Sequence, residues 1–217
     1  AVAELQGILL STSCVLCINQ AYDDQIIPVK PAARNRRIQG EEVKRDYLTL
    51  DEVKKLAATP CRYPVLKRAF LFSCLTGLRK SDIQKLTWGE VQKFGKYTRI
   101  VFKQRKTKGQ EYLDISSQAE KYLGERGNPD DIVFTGFTYG SWTSLELQRW
   151  SLAAGVNKNL TFHCARHTFA VLMLDLGADI YTVSKLLGHR FLTTTQIYAK
   201  VLDKNKQNAV SLIPDIG

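Results

Sequence analysis

Apolar positions in residues 1–22 (Val2, Leu5, Ile8, Leu9, Val15 and Ile18) recur at spacings that fit one helical stripe. The pattern then breaks. Asp23 to Val43 holds Pro28, Pro31 and a basic cluster of Lys30, Arg34, Arg36 and Arg37, the composition of an extended linker. A boundary near residue 40 follows, separating residues 1–40 from 41–217. Beyond it, Thr49-x-x-Glu52 is a capping box ahead of Val53, Leu56 and Ala57, so a helix starts at Leu50. A more apolar helix is expected from about Pro64 to Thr76, stopping at Gly77, after which Ser81 would cap a short helix carrying Ile83 and Leu86.

From Val91 the period changes to two. Tyr97, Arg99 and Val101 alternate with Thr98, Ile100 and Phe102, and a turn at Lys108-Gly109 leads to Tyr112 and Ile115. This predicts a small antiparallel sheet with a basic hairpin (Lys103, Arg105, Lys106, Lys108). Helical segments follow at about 117–126, 143–154, 162–176, 179–187 and 192–200. The expected class is mainly α with a small antiparallel β-sheet, an α+β fold, without internal repeats.

Composition adds a sign of charge. Among 217 residues, 31 Lys and Arg outnumber 21 Asp and Glu, for a net charge of +10. Such an excess favours a polyanionic partner, although a solvated basic surface is the plainer account. No run approaches the roughly 18 apolar residues of a membrane span, and the first twenty residues lack the charged start and cleavage site of a signal peptide. The chain begins at Ala1 in what reads as mid-helix, so a fragment without its N-terminal portion is expected. The cysteines, Cys14, Cys17, Cys61, Cys74 and Cys164, are odd in number and lack framework spacing, which suits reduced, mostly buried thiols. Cys14-x-x-Cys17 could be redox-active or metal-binding, but no second pair follows it.

Candidate chemistry is concentrated near the C-terminus. All three histidines, His163, His167 and His189, lie in one short stretch with Arg166 and Tyr198. Thr161 is placed to cap a helix whose first turn would carry His163 and Arg166 on one face, beside backbone N–H groups and a positive dipole end. A phosphate suits that face. Arginine donates two parallel hydrogen bonds to an oxyanion and stays charged, so Arg166 and the upstream Arg79 of Thr76-Gly77-Leu78-Arg79 could clamp its oxygens. Tyr198, a phenol of pKa about 10, becomes a nucleophile only with cations or a base nearby, and packing of its ring is the plainer role. A lysine on the hairpin could protonate a leaving hydroxyl; Lys106 is the chosen candidate, with Lys103 and Lys108 within reach. A metal site of His163, His167 and His189 is the rival reading. It lacks the glutamate of His-Glu-x-x-His and places Arg166 among the ligands.

In this order, Thr76-Gly77-Leu78-Arg79 with Ser81-Asp82-Ile83, Lys106-Thr107, His163-x-x-Arg166-His167, Leu187-Gly188-His189 and Tyr198, the chain resembles the catalytic domain of tyrosine recombinases. These are the lambda-integrase-like enzymes of phages and conjugative transposons, and the likeness covers residues 46–200. It implies that Arg79 and Arg166 hold a scissile phosphate, His163 and His189 assist, and Lys106 protonates the leaving oxygen. Tyr198 would then form a 3′-phosphotyrosyl bond, with Asp82 supporting the site. The implied function is site-specific strand exchange without cofactor or metal. A type IB topoisomerase, sharing the chemistry, is the alternative. Implied partners are double-stranded DNA, further copies of the chain in dimers and tetramers on DNA, and accessory DNA-bending proteins, with no membrane. The implied location is the bacterial cytoplasm, at the nucleoid. Residues 1–40 would be the end of a helical core-DNA-binding domain plus linker. Residues 201–217 would be a tail packing on a neighbouring protomer, or docking in cis.

Overall fold

The computed structural model describes residues 16–28, 46–103 and 110–198, with backbone alone at residues 102, 103, 110 and 111. Lys106 with most of its hairpin, Cys14, the stripe from Val2 to Val15, most of the linker and the 201–217 tail lie outside the described residues. The chain divides into two units, Ala1–Lys44 and Arg45–Gly217. In the first, residues 16–23 are helical and Cys17 is exposed.

In the second unit, α1 (Leu50–Ala58) starts at the expected capping box: the Thr49 side chain accepts the Glu52 N–H at 3.2 Å, and the Glu52 carboxylate accepts the Thr49 N–H at 2.7 Å. Its buried face is Val53 and Leu56. Helix α2 (Pro64–Thr76) has proline at its first position, where no intrahelical N–H is needed, and is apolar almost all round. Such a helix must be central. Leu66, Phe70, Leu71 and Phe72 are fully buried.

α3 (Lys80–Ile83) departs from expectation. Arg79, not a serine, is the residue that precedes it, and Ser81 sits inside the helix with its hydroxyl 3.4 Å from Asp82 Oδ1. The left-handed Gly77 turns the chain so sharply that two residues suffice before helical geometry returns. Leu86, beyond α3, is nevertheless buried.

Three antiparallel strands follow in the order β1 (Val91–Phe94), β2 (Tyr97–Lys103) and β3 (Gln110–Ile115). The register pairs Ile100 with Val91 on one side and Leu113 on the other, all buried, while Arg99 faces out and binds Asp114 through 2.6 and 2.9 Å hydrogen bonds. Then come α4 (Ser117–Glu120), α5 (Ser141–Ala153), α6 (Phe162–Asp175), α7 (Ile180–Leu186) and α8 (Thr193–Gln196). α4 stops well short of the expected 126 and gives way to turns.

α6 packs along α2 and is buried at most positions. Phe70 of α2 meets Trp150 of α5 and Phe162 of α6 edge-on, with centroids 5.9 and 5.7 Å away, which fixes the start of α6 against the core. Among the described residues no helix is long and apolar enough to cross a membrane.

Gly77 is closely packed. Its φ is +69°, and a Cβ there would stand 2.5 Å from Phe169 Cδ1 and 2.9 Å from Leu187 Cδ2. Gly77→Ala therefore combines left-handed strain with overpacking and is expected to cost about 2–5 kcal/mol. Urea denaturation measures this; a loss below about 1 kcal/mol would show that α2 and α6 separate easily there.

Candidate active site

The site is built on two chain reversals and one helix start. The first reversal ends α2: the Gly77 N–H donates to the Ser73 carbonyl at 2.8 Å, and the Ser73 hydroxyl donates to the Leu78 carbonyl at 2.9 Å. This sets Leu78 inward and Arg79 at the head of α3. The second ends α7, where Gly188 has φ +59° and the His189 N–H donates to the Ser184 carbonyl at 3.0 Å, a left-handed helix stop.

The helix start is that of α6. Thr161 is its cap residue, as expected, but the Cys164 sulfur occupies the place of the usual glutamate, 3.3 Å from the Thr161 nitrogen. The Phe162 N–H donates to the Tyr139 hydroxyl at 3.1 Å. The first turn is thus partly satisfied by the protein itself. Phe162 packs on Phe137 and Tyr139 at 5.2 and 5.6 Å.

Arg166 connects these parts. It is 5% exposed, and its two terminal nitrogens donate to the Gly77 carbonyl at 2.6 Å and the Leu187 carbonyl at 2.5 Å. A guanidinium has five N–H donors, so these bonds leave others for an anion. Arg79, Lys80, Tyr139, Thr161, His163 and Arg166 border one pocket of about 230 Å³. Its size suits a phosphate group and its first linkages rather than a large ligand.

Charge in the pocket is mostly of one sign. Burial, reinforced by Arg79, lowers the Arg166 pKa to about 10, which leaves it charged at neutral pH. Burial raises the Asp82 carboxyl, while Arg79, a hydrogen bond from Ser81 and Arg166 pull it back down. Asp82 is thus an acid within the field of both arginines. Burial, then Arg166, Arg79 and His163, bring His189 down to about 4, so it is a neutral imidazole at pH 7. Its Nδ1 lies 2.8 Å from the hydroxyl of Thr195, itself fully buried in α8.

Tyr198 follows α8 and is 6% exposed, packed with Phe169, Val171, Leu174, Val183 and Leu187. Its hydroxyl is 2.5 Å from His167 Nδ1. The ring does pack on the core, as a lone tyrosine would, yet its polar end meets a histidine. The described residues thus bring Arg79, His163 and Arg166 to one pocket and Tyr198 to the helix that carries two of them. Among the described residues, no three or more His, Cys, Asp or Glu are grouped as metal ligands.

A sequence model described as the phage integrase family matches residues 46–205, well over half of the chain. The chain belongs to this family. It is 32% identical to tyrosine recombinase XerD of Oceanobacillus iheyensis over 72% of this chain and 58% of that protein. With tyrosine recombinase XerC of Haemophilus influenzae the identity is 31%, over 68% and 54% respectively. The chain therefore spans little more than half the length of these integrase-family relatives. Among solved structures, the catalytic domain of bacteriophage HP1 integrase has a TM-score of 0.57 at 25% identity, over 79% of this chain and 96% of that one. A lambda integrase dimer bound to a core site gives 0.66 at 21% identity, over 88% and 71%; at that identity the likeness is one of fold. The fold is the mainly helical one with a small antiparallel sheet seen in these catalytic domains.

Sequence reasoning kept His167 among the histidines that could add a hydrogen bond or move a proton, and in the rival metal site, without a catalytic role of its own; it passed over Tyr139 and Thr195. The signal for His167 was present, because it adjoins Arg166, but nothing in a linear pattern says which side chain it meets 31 positions on. Tyr139 and Thr195 carried no motif at all.

The His189 shift has a sign that can be tested. Its folded pKa, about 4, lies below the ordinary 6.5, so the unfolded chain binds the proton more readily. This contribution to stability is full above pH 6.5 and is lost as pH falls toward 4. His189→Gln should flatten the fall in Tm across that range. An unchanged slope would place its origin in other groups.

Proposed function

We propose that the chain carries the catalytic machinery of a site-specific DNA recombinase, which breaks and rejoins strands through a tyrosine. The observation that carries this is the convergence of Arg79, His163 and Arg166 on a phosphate-sized pocket, with Tyr198 on the same structural unit. In the proposed step the Tyr198 oxygen attacks a backbone phosphorus and the 5′-hydroxyl leaves. The bond energy is kept in a 3′-phosphotyrosyl link, and another 5′-hydroxyl later displaces the tyrosine.

Arg79 and Arg166 hold the non-bridging oxygens as negative charge builds on them, and their fixed placement means little reorganisation accompanies the reaction. His163 and His189 add hydrogen bonds. His189, neutral at pH 7, acts as a donor rather than a proton reservoir: the Thr195 hydroxyl can donate to Nδ1 and keep the proton on Nε2. Lys106 protonates the leaving oxygen. Asp82 steadies the two arginines.

Double-stranded DNA is the proposed partner, favoured by the net charge of +10. Assembly into dimers and tetramers on DNA, accessory bending proteins, a place at the bacterial nucleoid, and a core-DNA-binding remnant over residues 1–40 belong to the same proposal. The relatives above are named recombinases and integrases, and no observation favours a topoisomerase.

A duplex nicked near the cleavage site, which traps the covalent complex, tests this. The chain should form an adduct stable to denaturant, Tyr198→Phe should form none, and Arg79→Met should slow it by about 10²–10³-fold. An adduct formed by Tyr198→Phe would remove Tyr198 from the mechanism.

A further inference from the structure

We infer that His167 is the base that takes the phenolic proton of Tyr198 as the tyrosine attacks. This rests on the proposed strand-cleavage reaction and adds to it a residue with a contact to the reacting atom. His167 Nδ1 and the Tyr198 hydroxyl oxygen are 2.5 Å apart, and the two rings, with centroids 5.6 Å apart, are both buried. A phenol of pKa about 10 attacks phosphorus efficiently near pH 7 only if its proton has somewhere to go, and a base in hydrogen-bond contact typically adds 10²- to 10⁴-fold.

The placement follows from the helix. His167 is one residue beyond Arg166 and four beyond His163, so the three share the first turns of α6. His163 stands edge-on to His167 with centroids 4.3 Å apart and borders the pocket. α6 therefore carries phosphate ligands toward the pocket and a nitrogen toward the nucleophile. His189 is engaged by Thr195 on the other side.

The Tyr198 O–H bond breaks and its proton passes to His167 Nδ1 while the oxygen's electron pair forms the bond to phosphorus. The bond from phosphorus to the 5′ oxygen breaks, and that oxygen is protonated by Lys106. The imidazolium gains its charge as negative charge accumulates on the phosphoryl oxygens. In rejoining, it returns the proton to the departing tyrosine oxygen.

The test uses the full chain on two nicked duplexes, one with the natural bridging oxygen and one with sulfur at the bridging 5′ position, a leaving group that needs no proton. His167→Asn keeps a polar atom near the Nδ1 position but no basicity. It should slow adduct formation about 100-fold on both substrates. Lys106→Ala, by contrast, should be slow with oxygen and restored with sulfur. A His167→Asn rate within about threefold of the parent, or restored by sulfur, overturns the inference. A second readout needs no variant: on the sulfur substrate the parent chain should be slowed about twofold or more in deuterium oxide, because the only proton in flight is that of Tyr198. A ratio near one overturns the inference while leaving the cleavage reaction standing. If the parent chain forms no adduct on either substrate, both fall.

Discussion

The fork of Arg166 is the contact on which the rest of the site depends. One buried guanidinium bonds the carbonyl that ends α2 and the carbonyl that ends α7, and so fixes the loop bearing Arg79 relative to the loop bearing His189. Each charged hydrogen bond is worth about 1.5–3 kcal/mol, and removing the donor would leave two carbonyls short of partners. Burying a charge is costly, and here the cost is met by geometry that only arginine supplies: a planar fork reaching two acceptors at once. A lysine would bring both bonds to a single nitrogen instead of the two spaced nitrogens that Arg166 uses.

α6 works with two faces. Its first turns direct His163 and Arg166 to the pocket, while His167 and Phe169 meet Tyr198 and the Gly77 turn. Thr195 closes the arrangement, since its hydroxyl meets His189 and its carbonyl accepts the Tyr198 N–H at 3.0 Å. Tyr198 and the pocket residues are therefore tied through the same few contacts, and a displacement of α8 moves both.

The electrostatics are arranged for a polyanion. Two arginines border the half-buried pocket, with Asp82 beside them and His189 kept neutral by burial first and by their field second. Repulsion between these cations is tolerated because the packing of α2 against α6 holds the loops in place. A phosphate held there would relieve that repulsion.

By itself the sequence determined the helices that announce their ends: Thr49 and Glu52 cap α1, Pro64 and Gly77 bracket α2, and alternation from Tyr97 to Phe102 marks β2. These are legible because caps, prolines, left-handed glycines and period-two burial are local properties of a few neighbouring residues. β1 lies where alternation was read from Val91, although only one of its four positions is buried, and Ser81 looked like a cap only because the sharpness of the Gly77 turn is invisible in one dimension. The motif residues of the site were likewise visible in the chain, from Arg79 to Tyr198. Their relations were not. That Arg166 holds Gly77 and Leu187, that His189 rests on Thr195 and is neutral, and that His167 meets Tyr198 are decided by contacts across long separations, 89 residues in the case of Gly77. Only packing of α2, α6 and α7 around one core creates those contacts, because hydrogen bonds and fields depend on distance in space and not along the chain.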